Sequence, residues 1–108
     1  MREFADQLSS IAVRGQILYT RHARIEMEQE ELGIIGEAEV FEALTEGRII
    51  EYYDDDEPYP SCLVFGKTKL ERPLHVVAAL ALEEETIIVV TVYQPDPERW
   101  IGFERRRR

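Results

Sequence analysis

Two apolar runs constrain this chain more than anything else in it. Val76–Leu82 reads VVAALAL and Ile87–Val92 reads IIVVTV, with only Thr86 and the acidic Glu83, Glu84 and Glu85 between them. Both runs are apolar on successive residues, so neither has a face suited to water, and each belongs in the middle of a sheet. A connection this short returns the chain antiparallel to itself. Two further segments rich in Ile, Val and Tyr come before them. The four predicted strands are Arg48 to Tyr53, Ser61 to Thr68, Pro73 to Leu82 and Thr86 to Gln94. Their connections, Asp54 to Pro60, Lys69 to Arg72 and Glu83 to Glu85, are polar and of hairpin length.

Before Gly47 the periodicity is helical. Phe4, Leu8, Ile11 and Ala12 fall on one side of a predicted helix that stops near Gly15. Ile17-Leu18-Tyr19 reads as a short apolar lead-in. Thr20 offers an N-cap for a second helix running to about Glu31, with Ala23 and Met27 on one side and Gly33 at its end. Gly36 caps a third, with Glu37 and Glu39 in its first turn, Val40, Phe41 and Leu44 on its apolar face, and Gly47 beyond it. The fold class is therefore α+β: N-terminal helices followed by a four-stranded antiparallel β-meander, with the helices packed on one face. A chain of 108 residues has room for one such domain, expected over 1–103, with a basic tail at 104–108.

Charge narrows the function. The formal net charge is −9. From Glu26 to Glu57 there are thirteen acids and one base, Arg48, whereas Glu104 to Arg108 carry a net +3. A broad RNA-binding surface needs the opposite sign, so RNA is disfavoured as a partner. The terminal arginines read as a solvated end or as a short electrostatic hook. No apolar run is long enough to cross a bilayer, nothing resembles a signal peptide, and the one cysteine, Cys62, suits a reducing compartment. A cytoplasmic protein away from membranes is the expectation. Neither a metal nor a cofactor is expected: zinc spacing, phosphate-binding glycine loops and nucleophile elbows are lacking, and Asp54-Asp55-Asp56-Glu57 reads as a solvated connection.

Two places carry residue types suited to acid–base chemistry. Thr20-Arg21-His22-Ala23-Arg24 opens a predicted helix, where free N–H groups and two arginines suit a phosphate and His22 can move a proton. The competing reading pairs Arg21 and Arg24 with nearby glutamates. His75 stands early in the first buried run, beside Arg72, on the face of Val77, Ala79 and Ala81. Strict alternation on the next strand puts Tyr93 and Thr91 with Ile87 and Val89, and the strand register decides whether Tyr93 meets His75. A histidine in such a strand is more often a hydrogen-bonded structural residue than a catalyst.

In order, Thr20-Arg21-His22-Ala23, Met27, Ala43-Leu44, Gly47, Pro58-Tyr59-Pro60-Ser61-Cys62-Leu63-Val64, Arg72-Pro73-Leu74-His75-Val76-Val77, Thr91-Val92-Tyr93-Gln94-Pro95-Asp96 and Trp100 form a pattern. It resembles a small prokaryotic family known as domain of unknown function 4258, over about Ile17 to Phe103. That family is similar in fold to RelE- and BrnT-type toxins of toxin–antitoxin pairs, which cut RNA without a metal. The resemblance implies His22, His75 and Tyr93 as catalytic positions, with Arg21, Arg24 and Arg72 holding phosphate. It also implies an antitoxin or another protein as partner. The family tends to carry arginine where this chain has Glu26 and Glu30, and that reversal turns the expectation away from RNA.

Two functions follow as expectations. The first is a non-catalytic module whose acidic segment meets a basic protein partner. The second is a metal-independent ribonuclease using His22, His75 and Tyr93. A homodimer through the edge strand Arg48 to Tyr53 fits either.

Overall fold

The computed structural model describes residues 2–107. The chain runs α1 (Arg2–Arg14), β1 (Gln16–Tyr19), α2 (Arg21–Gln29), α3 (Glu37–Glu46), β2 (Arg48–Tyr53), β3 (Ser61–Lys67), β4 (Pro73–Ala81), β5 (Thr86–Tyr93), β6 (Trp100–Ile101) and β7 (Arg105–Arg106). The doubly apolar strands β4 and β5 lie inside the main sheet, whose order is β1-β5-β4-β3-β2. Strands β2 to β5 form the expected antiparallel meander. The sheet nevertheless has five strands, not four. Ile17-Leu18-Tyr19 is no mere lead-in, since β1 pairs in parallel with β5 from Gln16↔Thr86 to Tyr19↔Val89. Its alternation covers only four residues, too few to separate a strand from a connection by period.

The helices pack on one face. Leu74, Val76, Ala78 and Leu80 of β4 meet Phe4, Leu8 and Ile11 of α1, Ala23 and Met27 of α2, and Val40, Ala43 and Leu44 of α3 in one buried cluster. The approach of α3 to β3 depends on Gly66, where an added Cβ would lie 2.4 Å from the Ala43 carbonyl oxygen. No side chain fits between that helix and that strand.

On β5 strict alternation fails. Val77 pairs with Thr91 but Ala78 pairs with Val89, so Val90 is an extra residue in the ladder. This bulge lets Val89 and Val92, three residues apart, both reach the helix-side core. Tyr93 is thereby turned to the face opposite Ile87 and Val89, which corrects the expectation drawn from alternation, and it pairs directly with His75.

β1 covers β5 only as far as Val89, and α2 continues along the same edge. Thr20 makes the transition: its N–H donates to the Val89 carbonyl, its hydroxyl donates to the Val90 carbonyl, and the same oxygen caps α2 by accepting from the Ala23 N–H. Beyond it, Glu26 accepts from the Val92 N–H at 3.0 Å and Glu30 from the Gln94 N–H at 2.9 Å. Four helical residues advance about 6 Å and two strand residues about 6.8 Å, so glutamates at i and i+4 match alternate amides of a strand. Glu26 and Glu30 therefore close the edge that β1 leaves open. Glu26→Ala or Glu30→Ala should cost about 1 kcal/mol each and speed hydrogen exchange at the Val92 or Gln94 amide respectively. Unchanged exchange at both amides would show that the carboxylates do not cover this edge.

Arg105 to Arg107 do not trail into solvent as a simple tail. Arg105 and Arg106 form β7, paired with Ile101 and Trp100 of β6. The hairpin is fastened to β2 by ion pairs of Arg106 with Glu51 and of Arg48 with Glu104. Arg108 lies outside the described residues.

Candidate functional site

His75 sits directly between Phe65 on β3 and Tyr93 on β5, on the sheet face away from the helices. The β6–β7 hairpin covers it. Trp100 meets the imidazole edge-on at 4.4 Å between ring centres, and Phe103 packs against Phe65. The His75 residue has no solvent exposure.

Both ring nitrogens are occupied. Nε2 lies 2.6 Å from the Phe103 carbonyl oxygen, and Nδ1 lies 3.0 Å from the Tyr93 hydroxyl. A carbonyl only accepts, so Nε2 carries the proton and donates it to Phe103. Nδ1 is then a bare acceptor and the Tyr93 hydroxyl donates to it. The network fixes one neutral tautomer. Burial lowers the His75 pKa below its ordinary 6.5, although the Phe103 bond and nearby Glu51 act the other way. Burial also raises the Tyr93 phenol. Both groups are held neutral, and forming either ion in place is opposed by desolvation.

The next groups outward are charged but satisfied. Glu51 on β2 accepts two bonds from Arg106, at 2.8 and 3.0 Å, and another from the Tyr53 hydroxyl. The Arg106 bond leads in holding the Glu51 carboxyl below its usual range. The Arg106 guanidinium also lies over the Trp100 ring at 4.7 Å. A cleft of about 680 Å³ reaches Tyr93 from solvent, lined by Arg99, Arg106 and Arg107 but also by Asp96 and Glu98. With Arg106 held by Glu51, the remaining lining charges cancel, so the cleft offers no net positive charge to a phosphate.

The other sequence candidates stand elsewhere. His22 is exposed on α2, with Nε2 3.3 Å from Glu26, and lines no part of the Tyr93 cleft. Arg24 pairs with Glu37 and stacks on Tyr19 at 4.8 Å, and Arg21 is exposed and makes no ion pair among the described residues. Arg72 is spent on structure. Its Nε donates to Gln94, one terminal nitrogen to Glu39 and the Ile34 carbonyl, and the other to the Gly33 carbonyl. So His75 and Tyr93 come together, while His22 and the three arginines do not join them. Among the described residues no three His, Cys, Asp or Glu side chains are placed to share a metal ion. Cys62 is buried, its thiol pushed up to about 12 by desolvation. No helix is long and apolar enough to cross a membrane.

Phe103 and Arg106 lie at a two-residue strand pair that leaves no periodic signal, and Glu51 joins the cluster only through its long-range contact with Arg106.

No curated protein and no solved structure matches the chain. The family model described as Domain of unknown function (DUF4258) matches residues 19–94, from the end of β1 to just past Tyr93, and the chain belongs to that family.

Proposed function

We propose that the chain is a non-catalytic binding module whose acidic α2–α3 side receives a basic protein partner. One observation carries this reading: His75, the best-placed acid–base group, has no exposure and both ring nitrogens are committed. A general base must reach the proton it removes, and this one has no free lone pair to offer. The likeness to RelE- and BrnT-type folds, and with it a prokaryotic and cytoplasmic setting, belongs to the same proposal, with an antitoxin-like protein as one form of partner. Pairing of two copies through the β2 edge is compatible with it.

A second reading keeps the adjacency of His75 and Tyr93 beneath a solvent cleft as the remnant of a metal-independent ribonuclease. Cellular RNA incubated with the purified protein in EDTA separates the two. The binding reading expects intact RNA and a stoichiometric basic partner that is released by salt. Cleavage that persists in EDTA and disappears in Tyr93→Phe would establish the ribonuclease instead.

A further inference from the structure

Four exposed large apolar side chains sit on the α2–α3 loop, α3 and the β3–β4 turn: Leu32 at 65%, Ile34 at 72%, Phe41 at 42% and Leu70 at 91%. Single exposed leucines are ordinary and need no account. These differ because the backbone that carries them is clamped. In the α2–α3 loop the Leu32 N–H donates to the Glu30 carboxylate, the Gly33 N–H to the Glu30 carbonyl and the Ile35 N–H to the Met27 carbonyl. Ile35 is buried between its two exposed neighbours, and Arg72 grips the carbonyls of Gly33 and Ile34. Leu32 and Ile34 are thus held outward by a fixed loop.

Leu70 is presented in the same way. The β3–β4 turn is closed by the Thr68 N–H to the Arg72 carbonyl and the Glu71 N–H to the Thr68 carbonyl. Glu42 of α3 accepts from the Lys69 N–H, which seats the turn beside Phe41. Arg72 ties this turn to the Leu32–Ile34 loop and Glu42 ties it to α3 next to Phe41, so the segments that carry the four side chains are joined to one another. A groove of about 810 Å³ runs between α3 and the β3–β4 hairpin, with Ala38, Phe41 and Phe65 among its lining.

The charge around these side chains is of one sign on the helix side. Ile25 to Gly47 contains eight acids and neither lysine nor arginine. Of these, Glu28, Glu31 and Glu46 make neither an ion pair nor a side-chain hydrogen bond among the described residues, while Glu30 and Glu42 accept only backbone N–H groups. The cations bordering the groove lie opposite α3: Arg48 is held by Glu104, Lys67 faces Glu71, and Lys69 is exposed.

We infer that the partner docks here as a basic amphipathic helix, its apolar stripe on Leu32, Ile34, Phe41 and Leu70 and its lysines or arginines toward the α2–α3 glutamates. This rests on the binding reading above and names its surface. Fixed apolar anchors lose little freedom on binding, and helix-in-groove recognition uses such a row with a charged rim.

The probe is a short helix-forming peptide with leucines at i, i+3, i+4 and i+7 and lysines elsewhere, compared with a scrambled peptide of equal composition. The wild-type protein should bind the patterned peptide saturably, and the scrambled one weakly and only at low salt. The triple variant Leu32→Ser, Ile34→Ser, Leu70→Ser should keep its Tm and bind about tenfold or more weakly. Equal binding of both peptides, or unchanged affinity in the variant, overturns the surface. So does a wild-type dimer that the variant dissociates, which would give the surface to a second copy. A natural basic partner captured equally by wild type and variant would refute this surface and leave the binding function standing.

Discussion

His75→Ala should destabilise the fold by about 3 kcal/mol, the cost of a buried cavity added to that of two polar groups left without partners. The Phe103 carbonyl loses its donor and the Tyr93 hydroxyl its acceptor. Because Trp100 packs on the imidazole, loosening of the β6–β7 hairpin should red-shift the fluorescence of that single tryptophan. His75→Phe restores volume without the bonds and should recover only part of the loss. The pH dependence has a definite sign. The folded state holds His75 neutral below the ordinary 6.5, so its contribution is full above that pH. It declines by up to about 1.4 kcal/mol per unit as the pH falls below it. Chemical denaturation from neutral to acid pH measures both effects. A His75→Ala midpoint equal to wild type would remove His75 from the account of stability.

Arg72→Ala is the second large effect, about 3 kcal/mol. Its guanidinium joins four segments: the Gly33–Ile34 loop, Glu39 at the start of α3, the turn that carries Arg72 itself, and Gln94 beyond β5. Removing it leaves Glu39 without its ion-pair partner and frees the loop that holds Leu32 and Ile34 outward. Arg72→Lys keeps the charge but not the planar fork, so it should recover less than half of the loss. Urea midpoints give the energies, and hydrogen exchange at the Ile35 amide reports the loop. A lysine variant as stable as wild type would show that the charge matters and the fork does not.

Much of this architecture was legible because the residues obey simple periods. The doubly apolar runs placed β4 and β5 inside the sheet, and Thr20, Gly36 and Gly47 placed the helix ends. What stayed hidden depends on contacts between segments far apart in the chain. β1 is too short to show a period, and its partner lies about seventy residues away in sequence. The bulge at Val90 reverses the faces of β5 without any glycine or proline to mark it. Within the acidic segment, Glu26, Glu30, Glu39, Glu42 and Glu51 each hold a specific backbone or arginine partner that residue type and spacing do not announce. At the site, His75 and Tyr93 were identifiable as residues of interest. That they meet, and that β6 and β7 close over them, follows from a bulge and a two-residue strand pair that local sequence does not announce.

His75 is an internal latch between β5 and the C-terminal hairpin and not a solvent-facing base. Nitrogen-15 NMR of the His75 ring tests it most directly. A latched His75 should be a neutral ring protonated at Nε2 at pH 7, with an Nε2 proton slow to exchange with water and no titration until below 6.5. An Nδ1-protonated ring, or one that titrates freely near 6.5 with fast proton exchange, would contradict it.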